Sequence, residues 1–332
     1  MPDSAVLAFT DADVYHAAVR NAQVEGVVTA RGGFRAELTR IDLHRLWMLR
    51  GEESLARIHN VAIGTRPAIL FATDRNPSEY IDGMELPQGQ ILVFGLGSVG
   101  HQRTAAGCQW GTMSLTLEDL ATAGQAIIGR ELIPPSDTHC IRPPPQLMSR
   151  LSSLHEAAGH LAKTAPDVLA QPEVARAMEQ ALVHAMVSCL SGGETAETSN
   201  AHHRHAVVLR RLEELLEANP DRTLYVAELS SAAGVGERTL RTCCHEHLGM
   251  SPTRYLWLRR MHLARRGLRN ADPAATTVTE VATSYGFWEL GRFSVAYRSL
   301  FGESPSAALR RPPEDPRPQK NNASPWQLPE SA

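Results

Sequence analysis

VAELSSAAGVGERTLRTCCHEHLGMSP, from Val226 to Pro252, and VTEVATSYGFWELGRFSVAYRSLFGESP, from Val278 to Pro305, are one pattern written twice. Leu229, Gly234 and Val235 align with Val281, Gly286 and Phe287 at an offset of 52. Leu240, Cys244, Leu248, Gly249 and Pro252 then align with Phe293, Tyr297, Phe301, Gly302 and Pro305 at an offset of 53, so the second copy carries one extra residue just past its turn. In each copy a short apolar-patterned helix meets a glycine, whose tolerance of positive φ permits a sharp turn, and a second helix follows. The spacing predicts two helix-turn-helix units.

The second helix of the first copy buries Leu240, Cys244 and Leu248 at i, i+4 and i+8, leaving Arg238, Arg241, Thr242 and His245 on its other side. Those groups suit base edges and phosphates. In the second copy Phe293, Tyr297 and Phe301 repeat the stripe, with Glu289, Arg292, Ser294 and Arg298 off it. Between the copies, PTRYLWLRRMHLARRGL (Pro252 to Leu268) turns Leu258, Met261, Ala264 and Leu268 to one face. A helix of that length is roughly 25 Å long and would hold the units at a fixed separation. Two such helices can address successive major-groove faces about 34 Å apart.

Residues of about 205 to 310 resemble the C-terminal DNA-binding domain of the AraC/XylS family of bacterial transcription regulators. The resemblance is carried by G-V-x-x-R-T-L at Gly234 to Leu240, G-x-S-P at Gly249 to Pro252, and Y-L-x-x-x-R-M-x-x-A-R-R at Tyr255 to Arg266. The second unit adds V-A-x-x-x-G-F at Val281 to Phe287, G-R-F at Gly291 to Phe293, and L-F-G-E-S-P at Leu300 to Pro305. It implies double-stranded DNA and RNA polymerase as partners, activation rather than repression, and most base contacts from Arg238, Arg241, Thr242 and His245. In the second unit Leu290 and Gly291 stand where many relatives place polar side chains, so Arg292 and Arg298 are read as phosphate contacts.

Charge separates the chain into halves. Residues 204–311 hold 16 arginines, no lysine and 11 acids, a net +5, whereas residues 1–203 hold 15 basic and 22 acidic groups, a net −7. A basic DNA-reading domain is attached to an acidic one. Cys108, Cys140, Cys189, Cys243 and Cys244 make an odd set with no C-x-x-C, which suits a reducing compartment. The vicinal Cys243 and Cys244 are read as structural, since Cys244 takes the place of Tyr297. The opening MPDSAVLAFTDADVYHAAVR has no basic lead or signal-length apolar run, and no window approaches bilayer-spanning length. The expectation is a cytoplasmic bacterial protein with no membrane contact.

From Val24 to about Thr116 the pattern is strand-like: FRAELTRIDLHRLWML (Phe34 to Leu49), ARIHNVAI, PAILFAT, QILVFGLG and QWGTMSLT. The expected class is α+β, with residues 1–140 a β-rich sensor domain, a barrel or sandwich that the resemblance makes cupin-like. Trp47, Phe94 and Trp110 are candidates to line an effector cavity. His44, His59 and His101 lie on separate stretches, so no metal is expected there, and no other cofactor. Helices are expected over 118–129, Gln146 to Lys163 and Pro172 to Leu190. The last carries an apolar stripe of Val174, Met178, Ala181, Leu182, Ala185, Met186 and Cys189 that would suit a homodimer interface within 146–190 or packing on the chain's own barrel.

Residues 191–202 read as a linker, 203–311 as the all-α DNA-binding domain and 312–332 as a disordered tail. His202, His203 and His205 read as a solvated helix start. An enzyme with an accessory DNA-binding domain is disfavoured by the lack of G-x-S-x-G, zinc-ligand spacing or a P-loop, and no helix follows Gly95, Gly97 and Gly100 to hold a pyrophosphate. A ligand-independent or partner-regulated DNA binder is the alternative within the same class.

Overall fold

Short β-branched and alternating runs need two apolar layers to bury both of their faces, and the N-terminal half supplies them as two facing antiparallel sheets. A computed structural model describes residues 2–74, 79–195, 200–219, 222, 224–311 and 319–320. The strands are β1 (Asp3–Phe9), β2 (Ala22–Val28), β3 (Ala36–Asp42), β4 (Trp47–Glu53), β5 (Arg57–Ile63), β6 (Ala68–Ala72) and β7 (Glu79–Ile81). They continue as β8 (Met84–Glu85), β9 (Ile91–Val93), β10 (Val99–Thr104), β11 (Gln109–Ser114) and β12 (His139–Arg142), with two-residue edges β13 (Glu194–Thr195) and β14 (Gln319–Lys320). One sheet has the order β13-β12-β9-β6-β11-β4-β3-β1-β14 and the other β2-β5-β10-β7-β8.

The stretch from Phe34 to Leu49 is a hairpin rather than one strand. Ala36 pairs with Glu53 and Asp42 with Trp47, and the Leu43 amide donates to the Leu46 carbonyl to close the turn. All of β6 is buried because both faces are covered. Ala68 and Leu70 face the opposite sheet, while Ile69 and Phe71 face the helices α2 (Leu117–Ile128), α3 (Pro145–Thr164) and α5 (Pro172–Gly192), with the short α4 (Pro166–Leu169) between the last two. The α5 stripe finds its partner here. Leu182, Ala185, Met186 and Cys189 are buried in the core that joins α3 and α5 to this sheet, Met178 packs against it, and Val174 and Ala181 are half-buried.

The N-terminal residues hold an element that the sequence did not signal, α1 (Ala12–Ala18), whose first turn is capped by the Asp11 carboxylate accepting from the Asp13 and Val14 amides. The helical half comprises α6 (Asn200–Glu217), α7 (Val226–Ala233), α8 (Glu237–Leu248), α9 (Pro252–Asn270), α10 (Val278–Ser284), α11 (Leu290–Phe301) and α12 (Pro305–Arg310). α6 starts two residues before the expected end of the linker, and residues 196–199 lie outside those described. The expected tail also lies outside them, save for Gln319 and Lys320, which pair with Ala8 and Leu7. Among the described residues no helix is long and apolar enough to cross a membrane.

The outer face of the five-stranded sheet carries the helical half. Val27 and Ile58 join the core of the first helix-turn-helix unit, with Leu209, Leu212, Leu229, Leu240 and Leu248. Beside them Glu213 accepts a 2.7 Å hydrogen bond from the Tyr255 hydroxyl and lies 3.7 Å from His101 of β10.

Candidate nucleic-acid interface

Each unit turns where the repeat placed a glycine. Gly234 ends α7 at φ +69°, and Gly286 follows α10 at φ +78°, both conformations that a side chain would strain. Three residues separate α7 from α8 and five separate α10 from α11, which accommodates the extra residue seen in the alignment. Both second helices close on left-handed glycines, Gly249 and Gly302. The helix α9 belongs to both units: Tyr255 and Leu256 enter the first core, and Leu258, Met261, Ala264 and Leu268 enter the second with Phe293 and Tyr297. Its 19 residues make a rod of about 28 Å, and Gly267 lets α10 approach so closely that a Cβ would come within 2.9 Å of the Tyr285 ring.

On α8, Leu240, Cys243, Cys244 and Leu248 are buried, and both thiols are pushed up by burial, to about 11 for Cys243 and about 12 for Cys244, so neither is a reactive thiolate. Arg238, Arg241, Thr242 and His245 are all exposed and share one open concavity. Arg241 is steadied by Glu237 one turn earlier, at 3.6 Å. On α11 Arg292 and Arg298 are exposed, and Glu289 just before the helix pairs with Arg292 at 2.6 Å. Ser294 is half-buried.

Two residues on this face escaped the sequence reading. Trp288 is 77% exposed and Val295 73% exposed, although both are large and apolar. On α11 Gly291, Arg292 and Val295 are exposed, and Trp288 lies in the loop just before the helix. The 53-residue offset could have found Val295, since it matches Thr242. An apolar side chain there suits a thymine methyl.

Between the sheets lies a narrow cavity of about 60 Å³. Trp47, Phe94 and Trp110, the three aromatic candidates, all line it, together with Leu49, Val61, Ile63 and Leu70. Trp47 is half-buried with the Arg66 guanidinium 4.0 Å from its ring centroid, and Trp110 lies deep. Sequence reading missed the cavity's polar end, lined by Arg57, His59, Glu79 and Gln102, and the buried acid behind it. Glu53 is fully buried; it pairs with Arg57 and accepts from the Tyr15 hydroxyl at 2.9 Å and the Trp110 indole at 2.7 Å. His59 points inward to Gln102 at 2.7 Å, whereas His101 points outward and His44 is exposed, so the three histidines are not brought together. Burial, reinforced by the Glu53 charge, pushes the Glu79 carboxyl up to about 8, which leaves it largely protonated at neutral pH.

Gly51 is required by this packing, because a Cβ there would run into the Trp110 indole. Gly51→Ala is therefore expected to destabilise the N-terminal domain by about 1–3 kcal/mol through overpacking and to quench or shift Trp110 fluorescence, measured on the same sample during denaturant unfolding.

Residues 229–311 match a family described as a helix-turn-helix domain. Among curated proteins the chain is 32% identical over 161 residues to a probable thc operon regulatory protein of Rhodococcus erythropolis, covering 48% of this chain and 48% of the relative. It is 37% identical over 99 residues to XylDLEGF operon transcriptional activator 2 of Pseudomonas putida, covering 30% of this chain and 63% of the relative. The chain thus spans less than two thirds of the length of either relative. A solved structure of a probable AraC family transcriptional regulator from Rhodopseudomonas palustris is 36% identical, covering 31% of this chain and 94% of that one, with a TM-score of 0.29.

Proposed function

We infer, from a C-terminal domain that belongs to the AraC/XylS family of helix-turn-helix regulators, that the chain is a sequence-specific DNA-binding transcription regulator, an effector-responsive activator reading two successive major-groove segments. The observation that carries the reading is a pair of second helices, α8 and α11, mounted on one continuous helix, with Arg238, Arg241, Thr242 and His245 exposed together. Relatives described as transcriptional activators support the sign, and an activator would act by contacting RNA polymerase.

The cavity supports an effector that is small, mostly apolar and equipped with one hydrogen-bonding group for its polar end. A contiguous set of contacts links that end to α9. Glu53 holds Tyr15 of α1; Asp11 and Asp13 at the start of α1 hold Arg265, Arg269 and Arg266 of α9, with Arg266 Nη2 2.7 Å from Asp13 and Arg265 2.9 Å from Asp11. Burial alone would raise the Asp13 carboxyl, but the Arg266 guanidinium outweighs it and holds the acid below its ordinary value. His262 of the same helix meets the Val28 carbonyl at 3.0 Å. An effector that moved α1 would loosen this grip, and it shifts the equilibrium only as far as it binds one domain arrangement better than the other.

Arg241→Ala is expected to cost roughly 1–3 kcal/mol of DNA affinity and to relax preference at one base position, while Arg298→Ala weakens all sequences alike and lowers the salt slope by about 1. Titrations of both variants over a panel of single-base site variants at two salt concentrations check this. Equal behaviour would remove the division between base reading and phosphate contact.

A further inference from the structure

His205 of α6 and Glu246 and His247 in the last turn of α8 bring one ligand atom each to within 4.8 Å of one another. We propose that these three side chains bind a divalent ion of the zinc class, and that the ion clips the recognition helix α8 to α6. The site is separate from the effector cavity, and Glu246 borders the concavity that Arg238 and Arg241 line.

Two imidazoles and one carboxylate are the donors of borderline ions such as Zn2+, Co2+ and Ni2+, and they disfavour calcium and magnesium, which require oxygen ligands. Tetrahedral bonds of zinc length put ligand atoms about 3.4 Å apart, so closing the cluster takes a movement of roughly 1 Å. That movement is available to Glu246, which is exposed, and to His205, which is half-buried. The two already meet, His205 Nδ1 against the Glu246 carboxylate. His247 is the fixed member: it is 2% exposed, its ring stands edge-on to His205 with centroids 6.4 Å apart, and a Cβ on Gly83 of the β7–β8 turn would come within 3.0 Å of that ring. The cluster also lies at the C-terminal end of α8, where the helix dipole favours a cation. Three protein ligands leave a fourth position for water.

The position gives the ion its consequence. His245 immediately precedes Glu246, and Thr242 lies one turn earlier, so the clip fixes the end of the helix that carries the DNA-facing groups. His205 was legible in the sequence only as part of a histidine-rich helix start; its partners lie 41 and 42 residues away.

The test uses the full chain after chelator treatment, titrated with Zn2+ by calorimetry and with Co2+ by visible absorption, in the absence of DNA. Expected are saturation at one ion per chain, a melting temperature that rises with Zn2+, and a loss of about tenfold or more in affinity in both His205→Gln and Glu246→Gln. Both variants keep the metal-free melting temperature of the parent, because neither side chain is in the core. Absence of saturable binding, or equal affinity in parent and variants, overturns the site. The clip is read separately: Zn2+ raises DNA affinity in the parent and leaves that of His205→Gln unchanged. A parent that binds zinc with no change in DNA affinity overturns the clip alone, and a parent that binds no DNA at all bears on the regulator reading without touching the zinc result.

Discussion

Glu53→Ala is expected to destabilise the protein by about 3–5 kcal/mol, the cost of leaving a buried guanidinium without its counter-charge. Glu53 is 0% exposed and Arg57 3% exposed, so neither reaches water in place of its partner. Two further donors, the Tyr15 hydroxyl and the Trp110 indole, lose their acceptor in the same substitution. Glu53→Gln keeps an acceptor for those two but removes the charge, and should fall between parent and alanine variant. Denaturant unfolding monitored by Trp110 fluorescence measures the difference. A loss below about 1 kcal/mol would mean that Arg57 has found another anion, and Glu79, near enough to be influenced by the Arg57 charge, is the group to remove next.

Stability should also peak near pH 6.5 and fall steeply on the acid side. His16, His59, His155 and His262 are all buried. Burial, with the Arg57 charge next in importance, holds His16 and His59 well below the ordinary imidazole range. Burial with the Arg50 charge takes His155 down to about 3, and burial takes His262 down to about 4 despite the Val28 carbonyl. The unfolded chain then binds up to four more protons than the folded one below pH 6.5, so stability is full above that pH and drops as pH falls, by about 1.4 kcal/mol per pH unit for each histidine.

Glu79 works the other way. Its folded carboxyl titrates at about 8, so between about 4.5 and 8 the folded state holds the extra proton and stability falls as pH rises. Below pH 6 the histidines outnumber it and the net slope for these five groups is about 4 kcal/mol per unit; above 6.5 Glu79 acts alone, at about 1.4. Unfolding midpoints from pH 5 to 8.5 check both limbs, and Glu79→Gln should flatten the alkaline limb and steepen the acid one, each by about 1.4 kcal/mol per unit. A profile level between pH 5 and 6.5 would contradict the neutral, buried state of the four histidines.

The C-terminal domain was legible because its signals are local. A glycine at each turn, an i, i+4, i+8 stripe and the proline opening α9 are all set by residues near one another in the chain. The expected helices at 118–129, 146–163 and 172–190 match α2, α3 and α5 to within two residues for the same reason. The aromatic candidates at the cavity were found because large rings in short strands have few places to go other than between sheets.

What stayed hidden depends on contacts between distant residues. The turn joining β3 to β4 uses Leu43 to Leu46 without glycine, proline or asparagine, so it left no mark in the sequence. Glu53 and Arg57 lie four apart with nothing in the local sequence to mark them, yet they sit at the ends of two strands and are buried together. The seven-residue α1 is too short for a clear periodicity, and the value of Asp11 and Asp13 appears only once α9, some 250 residues later, is laid against them. Val295 and Trp288 were passed over because apolar residues are expected to be inside.

The most direct test of the account is selection of bound sites from a random DNA library with the purified full-length chain, followed by footprinting of the enriched sequences. Two second helices, α8 and α11, mounted on one continuous helix predict, on the proposed reading, enrichment of two short elements about one helical turn apart, with protection over both and loss of the first element's preference in Arg241→Ala. Salt-sensitive binding with no enriched sequence, or a single element whose preference survives that substitution, would contradict it.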